Sequence, residues 1–144
     1  MEKSVLTVVM LFVSVVSFAQ KLSQDKIVGI WQSEEYKIEI FESGNTYSAK
    51  LLWSKDIFET DGKTSKKDDK NPDETLRNRN RQGITHITGL TYSDGEYIDG
   101  KLYSVQDGNT YGFKAELKGI DELESRGYKG VPMFGKTVKW KRVP

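Results

Sequence analysis

The stretch YGFKAEL, residues 111–117, decides the fold. Its apolar side chains occupy every second position and alternate with Lys114 and Glu116. A period of two places such side chains on one face of a β-strand and is typical of an antiparallel sheet with one face in water. The stretch therefore predicts a half-buried strand in an all-β domain. The apolar positions are Tyr111, Phe113, Ala115 and Leu117.

The same alternation recurs in YKIEIF (36–41), YSAKLLW (47–53) and TVKWKRV (137–143). In YSAKLLW it predicts that Tyr47 and Trp53 lie on the same inward face. Runs of this kind predict about eight strands in total. They span residues 27–32, 36–42, 46–54, 84–91, 96–104, 110–118, 121–128 and 137–143.

Glycine stands beside Asn, Asp or Ser between most of these runs, as in ESGNTY and QDGNTY. Such residues accept the positive φ of tight hairpin turns, so strands adjacent in sequence are expected to pair. A meander that closes on itself leaves no exposed edge. We therefore predict an all-β, antiparallel up-and-down barrel of about eight strands, with a two-sheet sandwich as the second choice.

The first nineteen residues carry the pattern of a secretory leader. Lys3 precedes an almost uncharged apolar run over residues 5–18, and Ser17 and Ala19 place small side chains just before a cut that precedes Gln20. The run is shorter than the roughly 20 residues that span a bilayer. We predict a signal peptide at residues 1–19 and a single β-barrel domain at residues 20–144. The protein is then exported, periplasmic or secreted, with no membrane span after the leader is removed.

Composition excludes several classes of function. The chain has no cysteine, so disulfides, zinc fingers, cysteine nucleophiles and a lipid anchor on cysteine are impossible. The formal net charge is +1. A balanced charge produces no basic field, so nucleic acid is not an expected partner.

Residues 54–83 show no strand pattern, and a connection of this length is usually functional or disordered. Residues 71–81 within it predict a helix of one or two turns, because Asn71 suits the N-cap and Pro72 the first helical position. Leu76 is expected to point to the barrel. The fold therefore includes one long loop that carries a short helix.

Two roles for this segment stay open. As a structural plug, it uses Arg77 and Arg79 to pair with loop acids or to donate to backbone carbonyls. As a lid, it presents the same two guanidinium groups to a carboxylate or phosphate entering the lumen.

No catalytic or metal centre is recognisable in the sequence. Asp69, Asn71 and Asp73 have the spacing of a calcium loop, but the positions that need Gly and Glu hold other residues. His86 is the only histidine, and no Gly-x-Ser-x-Gly elbow is present. We expect a structural histidine, no metal, no cofactor and no enzymatic activity.

Aromatic side chains crowd the predicted interior. A barrel of about eight strands has room for a filled core or for one small ligand, and buried Tyr and Trp need hydrogen-bond partners. A lumen of this kind suits a small amphipathic or apolar ligand. The predicted ligand-binding residues are Tyr36, Tyr47, Trp53, Arg77, Arg79, Tyr111, Phe113 and Trp140.

The segment RGYKGVPMFGKT, residues 126–137, has an unusually apolar tip at Val131, Met133 and Phe134. It either folds back to seal one end of the barrel or exposes a patch for a partner. Sealing is the favoured interpretation.

Gly29-Ile30-Trp31 resembles the Gly-x-Trp signature of the calycins, the lipocalin-like barrels. That resemblance implies a basic residue of the last strand beside Trp31, for which Arg142 is the candidate.

A second resemblance covers nearly all of the chain after the leader. Its main blocks are NPDETLRNR at residues 71–79, DGNTY at 107–111 and RGYKGVPMFGKT at 126–137, with Trp53 and Trp140 in order around them. These resemble the domain-of-unknown-function family 2147 (DUF2147), which implies an exported bacterial β-rich domain without an established activity.

Two functions are therefore expected. The first is an exported, non-enzymatic barrel that binds a small, partly apolar ligand in its lumen. The second is an envelope structural or interaction protein with a filled core that acts through its surface loops on an unknown protein partner.

Overall fold

The computed structural model describes residue 19 and residues 21–144. Eight antiparallel strands close into one barrel, in which neighbours in sequence are neighbours in the sheet. The predicted up-and-down barrel is therefore confirmed. The predicted leader, residues 1–19, lies outside the described residues apart from Ala19. The strands are β1 (Gly29–Gln32), β2 (Tyr36–Ser43), β3 (Thr46–Ser54), β4 (Thr85–Ser93), β5 (Glu96–Tyr103), β6 (Thr110–Leu117), β7 (Glu122–Tyr128) and β8 (Gly135–Arg142).

Closure depends on a short pairing between the first and the last strand. Trp31 and Gln32 of β1 pair with Arg142 and Lys141 of β8. This pairing removes the two edges that an open meander would expose to other chains.

One end of the barrel is closed by a 3-10 helix at Asp25–Ile27. Ile27 is fully buried, and its carbonyl oxygen accepts a 2.8 Å hydrogen bond from the indole of Trp31. The Arg142 guanidinium lies over that indole, 4.3 Å from the ring centroid, and donates to the carbonyl oxygen of Val28. The basic partner of Trp31 that the Gly-x-Trp resemblance implies is thus confirmed as Arg142.

Gly29 explains the first position of the same motif. Its φ is 141°, and a Cβ at this position would lie 2.6 Å from Nη1 of Arg142. Only glycine combines this backbone conformation with room for the guanidinium.

The connection between β3 and β4, here called the polar loop (residues 55–84), contains one 3-10 turn at Glu74–Leu76. Asp73 caps this turn, since its carboxylate accepts a 3.0 Å hydrogen bond from the backbone N–H of Thr75. The predicted cap at Asn71 is wrong because the turn begins only at Glu74. The Asn71 side chain lies before it, where its Oδ1 accepts a 2.9 Å hydrogen bond from the backbone N–H of Asp73 and its amide donates to Asp68 at 2.9 Å. The helix is accordingly shorter than predicted.

Two apolar features that were expected to contact the barrel face solvent instead. Leu76 is 36% exposed, because a single 3-10 turn is too short to lay an apolar face on the barrel. Val131, Met133 and Phe134 form the apolar loop (residues 131–134) and are 50%, 78% and 70% exposed. Arg126 holds this loop by donating to the carbonyl oxygens of residues 132 and 133. The expectation that the loop seals the barrel is therefore wrong.

No helix in the described part of the chain is long and apolar enough to cross a bilayer.

Candidate functional site

The barrel contains a cavity of about 150 Å³. Several of its lining residues mark strand ends: Tyr36 begins β2, Ser54 ends β3, Tyr103 ends β5 and Lys136 lies near the start of β8. The polar loop and the apolar loop leave the barrel at this same end. The cavity therefore opens between these loops, opposite the closed end at Asp25–Ile27.

The cavity walls are mainly apolar and include Leu51, Ile87, Leu102, Val105 and Phe113. A cavity of this volume with aliphatic and aromatic walls holds a molecule of about the size of benzene. A single ring or a short chain fits inside, whereas a longer chain has to leave through the mouth.

Trp140 and Tyr36 form one aromatic side of the cavity. Their ring centroids are 6.1 Å apart, and both residues line the cavity. The indole N–H of Trp140 donates a 2.8 Å hydrogen bond to Oγ of Ser125. The polar tip of this buried indole is thus satisfied within the barrel wall, and its apolar ring surface remains for packing.

His86 reaches the cavity because of a β-bulge. Ala49 pairs with Ile87 and Lys50 pairs with Thr85, so His86 is the extra residue between them on β4. A bulge interrupts the alternation of faces. As a result both His86 and Ile87 are buried and line the cavity.

The His86 ring is held by the neighbouring strand. Its Nδ1 lies 3.2 Å from the carbonyl oxygen of Ala49. Burial lowers the pKa of His86 to about 4, although the backbone hydrogen bond opposes this shift. The imidazole is therefore uncharged at neutral pH.

A second bulge reverses the prediction for Trp53. Lys37 pairs with Trp53 and Ile38 pairs with Leu51, which leaves Leu52 as the extra residue on β3. After the bulge Trp53 lies in a shallow groove beside Lys37, outside the barrel. The predicted inward orientation of Trp53 is wrong, and Ser54 lines the cavity in its place.

A buried carboxylate organises the polar loop. Asp68 is fully buried and accepts hydrogen bonds from Arg79 at 2.9 Å, from Asn71 at 2.9 Å and from the Tyr103 hydroxyl at 2.6 Å. Burial alone would raise the pKa of Asp68, but these hydrogen bonds outweigh it and lower the pKa. Arg77 donates to the carbonyl oxygen of Asn71 at 2.8 Å. Neither arginine lines the cavity.

The acids considered for calcium have protein partners. Asp69 forms a 3.0 Å ion pair with Arg81, and Asp73 caps the 3-10 turn. Within the described residues, no group of three or more histidine or acidic side chains is placed to hold a metal ion.

Three of the eight predicted ligand-binding residues line the cavity. Tyr47 lies at the closed end, where its hydroxyl donates to Asp25 at 2.5 Å. The Tyr111 hydroxyl donates to Asp107, in the connection between β5 and β6. The three that line the cavity are Tyr36, Phe113 and Trp140.

Sequence reasoning missed most of the polar lining residues. His86 and Ser54 face inward only because bulges shift the alternation, and a period-two pattern cannot locate a bulge. Tyr103 and Lys136 lie near strand ends, where the alternation of apolar and polar residues no longer predicts which face a side chain is on. One feature of the sequence could have pointed to His86 as a lining residue. It is the single histidine of the chain, and the strand around it otherwise contains mainly apolar and hydroxyl-bearing side chains.

The closed barrel and its lumen cavity define a small lipocalin-like protein. The family model described as "Uncharacterized protein conserved in bacteria (DUF2147)" matches residues 29–142, and the chain belongs to this family. The chain is also similar to a solved structure described as "Protein HP1028 from the human pathogen Helicobacter pylori belongs to the lipocalin family". The two share 29% sequence identity with a TM-score of 0.71, over 82% of this chain and 83% of that chain. No curated protein matches.

Proposed function

We propose that this protein is exported and carries one small, partly apolar molecule in the barrel lumen without transforming it. The observation that carries this proposal is the cavity of about 150 Å³ with mainly apolar walls. A barrel that worked only as a scaffold would pack its core to the density of other protein interiors.

Phe113 and the Tyr36–Trp140 pair supply the apolar and aromatic surface of the proposed site. Arg77 and Arg79, which were predicted to bind the ligand, keep a more limited role in this proposal. Their hydrogen bonds lie within the polar loop, so they would contact only a part of the ligand that extends beyond the mouth.

The absence of a catalytic role is part of the same proposal. The described lining residues include no carboxylate, and the one imidazole among them is held by a backbone carbonyl. A cavity without an acid lacks the second proton-transfer group that a paired acid–base mechanism uses. This arrangement supports binding rather than chemistry.

Export rests on the leader pattern at residues 1–19. Expression of the full chain in a bacterial host, followed by fractionation and intact-mass measurement, tests it. We expect a product beginning at Gln20 in the periplasm or medium, and an uncleaved chain in the cytoplasm would contradict export.

Ligand-observed NMR with ring-sized probes tests the binding proposal. We expect at least one of three probes, toluene, phenol or indole, to bind residues 20–144 saturably and with one-to-one stoichiometry. Val138→Phe adds volume to a lining position and should weaken binding at least about tenfold. The same substitution at the exposed Val131 is the matched control and should leave affinity unchanged. If no probe binds saturably, the cavity is not a ligand site.

The exposed apolar loop favours a second candidate function, namely docking to an anionic lipid surface. The chain from residue 125 to residue 138, which contains the loop and the strand residues beside it, has three basic residues and no acidic one. Apolar tips flanked by Lys and Arg insert into the interface of anionic bilayers, where each basic residue near the surface adds to the attraction. The loop also stands at the mouth of the cavity, so docking there would bring the lumen to the membrane.

Vesicle co-sedimentation tests this second candidate. The protein should bind vesicles that contain phosphatidylglycerol and not vesicles of phosphatidylcholine alone. Phe134→Ser should abolish this binding, whereas Ile120→Ser should not, because Ile120 is 75% exposed at the opposite end of the barrel. Equal binding by both variants would exclude the apolar loop as the docking element.

A further inference from the structure

The imidazole of His86 offers the lumen a hydrogen-bond acceptor. Its Nδ1 lies 3.2 Å from the carbonyl oxygen of Ala49. A carbonyl oxygen can only accept a hydrogen bond, so Nδ1 carries the ring proton. A neutral imidazole protonated on Nδ1 leaves a lone pair on Nε2.

The Nε2 atom is not enclosed by other atoms of the protein. Among the described residues the ring makes one hydrogen bond, at Nδ1, and Nε2 makes none. In the described residues, every fully buried side-chain nitrogen or oxygen has a hydrogen-bond partner. Nε2 therefore keeps some accessible surface, and the cavity is the space that His86 lines, although the residue as a whole is only 7% exposed.

Two other polar groups of the cavity are already engaged. Oγ of Ser125 accepts the indole hydrogen bond of Trp140, and the hydroxyl of Tyr103 donates to Asp68. The lumen therefore presents an apolar space with an acceptor nitrogen that the surrounding chain does not satisfy. The hydroxyls of Tyr36 and Ser54 also line it, but a hydroxyl can donate as well as accept, whereas Nε2 can only accept. A ligand that supplies a donor at this point fits the space better than one that does not.

We propose that His86 selects the ligand of the lumen, and that this ligand is an uncharged molecule with one ring-sized apolar body and an O–H or N–H group that donates to Nε2. Phenols, indoles and small amides have this chemistry. The inference rests on the proposed function, because it names the class of molecule carried at the same site.

Anions are disfavoured at this position. A carboxylate has no donor for Nε2, and its charge would be buried beside a neutral ring. The cation that lines the cavity, Lys136, is largely exposed at the mouth and already forms a 3.0 Å ion pair with Glu35.

Phenol and toluene provide a matched pair of probes, since they have nearly the same shape and differ in one donor. The chain has a single histidine, so ¹H–¹⁵N NMR of the imidazole gives one assignable pair of ring nitrogens. We expect the protein without ligand to show a protonated Nδ1 and an unprotonated Nε2. Phenol should then bind roughly tenfold more tightly than toluene and shift the Nε2 signal, which toluene should leave in place.

Substitutions separate the acceptor from the shape of the pocket. His86→Leu should remove the preference for phenol while toluene still binds, and His86→Gln, whose amide oxygen can accept, should keep part of it. The wild-type NMR comparison decides the question even if either variant fails to fold.

Three results would overturn the inference. The first is a proton on Nε2 in the protein without ligand. The second is equal affinity for phenol and toluene with an unchanged Nε2 signal, which would leave the proposed function standing. The third is no saturable binding of either probe or of indole, which would remove the proposed function as well.

Discussion

The hydroxyl of Tyr103 donates a 2.6 Å hydrogen bond to the buried carboxylate of Asp68. This contact joins the wall of the cavity to the polar loop, because Tyr103 lines the cavity and Asp68 lies inside the loop. A buried carboxylate with all of its partners in place holds a segment in one arrangement. The polar loop is therefore a folded part of the barrel end.

Removing this carboxylate should destabilise the protein strongly. We expect Asp68→Ala to lower the free energy of unfolding by about 3 kcal/mol, because three donors lose their acceptor. Tyr103→Phe removes one of these hydrogen bonds and should cost about 1 kcal/mol. Urea denaturation measures both effects. Tyr111→Phe is the matched control, since its hydroxyl bonds an exposed acid, Asp107, and a similar loss there would show that Asp68 has no special role.

The contact between Gly29 and Arg142 predicts a coupled pair of substitutions. A Cβ at Gly29 would lie 2.6 Å from Nη1 of Arg142, so Gly29→Ala should destabilise the barrel by about 2 kcal/mol. In the Arg142→Ala background the same change should cost less, because the guanidinium it displaces is gone. A double-mutant cycle in urea measures the difference. Gly44 also has a positive φ, but a Cβ there would meet open space. Gly44→Ala therefore measures the cost of backbone strain without a clash against a side chain.

A close approach between Gly108 and the polar loop gives another comparison. A Cβ at Gly108 would lie 2.1 Å from the carbonyl oxygen of Lys70, whereas one at Gly130 would meet nothing within 4 Å. The two glycines have nearly the same φ, 77° and 79°. Gly108→Ala should therefore lower the thermal midpoint by several degrees more than Gly130→Ala. Equal shifts would mean that the polar loop does not pack against this turn in solution.

Acid should destabilise the protein through His86. The pKa of His86 is about 4 in the folded chain, against 6.5 for an unperturbed histidine. Between these values the unfolded chain binds a proton that the folded chain does not, so stability falls as the pH is lowered from 6.5 to 4. The loss should be about 3 kcal/mol. His86→Gln should remove this contribution, and the difference between the two urea-denaturation profiles isolates it from the acids.

The titratable side chains near His86 do not contribute to this pH dependence. Tyr36, Tyr103 and Lys136 line the same cavity. Burial raises the pKa of both tyrosines, that of Tyr103 to about 12, and the hydrogen bond to Glu35 raises the pKa of Lys136. None of these groups changes charge between pH 4 and 6.5. Parallel profiles for wild type and variant would show that His86 is not buried in solution.

Arg77→Ala distinguishes a plug from a lid. The guanidinium donates to the carbonyl oxygen of Asn71, so a plug predicts a small loss of stability and unchanged affinity for phenol or toluene. Weaker binding of the probe with unchanged stability would instead support direct contact between Arg77 and the ligand. Ligand-observed NMR and urea denaturation on the same sample separate the two results.

The strands could be predicted because their signal is local. In YGFKAEL the residue facing the core is known from its neighbours two positions away, so Phe113 and Ala115 were correctly placed inside. Arg142 was placed beside Trp31 by the Gly-x-Trp resemblance, and its guanidinium lies over that indole. The glycine-rich turns between the runs predicted that neighbouring strands pair. Closure of the sheet into a barrel was then expected because it leaves no strand edge exposed.

The cavity could not be predicted because it depends on the exceptions to that alternation. The extra residues Leu52 and His86 turn Trp53 outward and bring His86 and Ser54 inward. A bulge arises from the register of two strands together, and neither strand alone records it.

By itself, the sequence determined the barrel, its strand order and its family motifs, since these follow from alternation, turn residues and motif spacing along one chain. The tertiary structure decided which side chains line the lumen, where Asp68 anchors the polar loop and why the apolar loop stays exposed. These features depend on strand register and on hydrogen bonds between residues far apart in sequence, such as Asp68 with Tyr103. Pairings of that kind are set by packing, and a local pattern does not contain them.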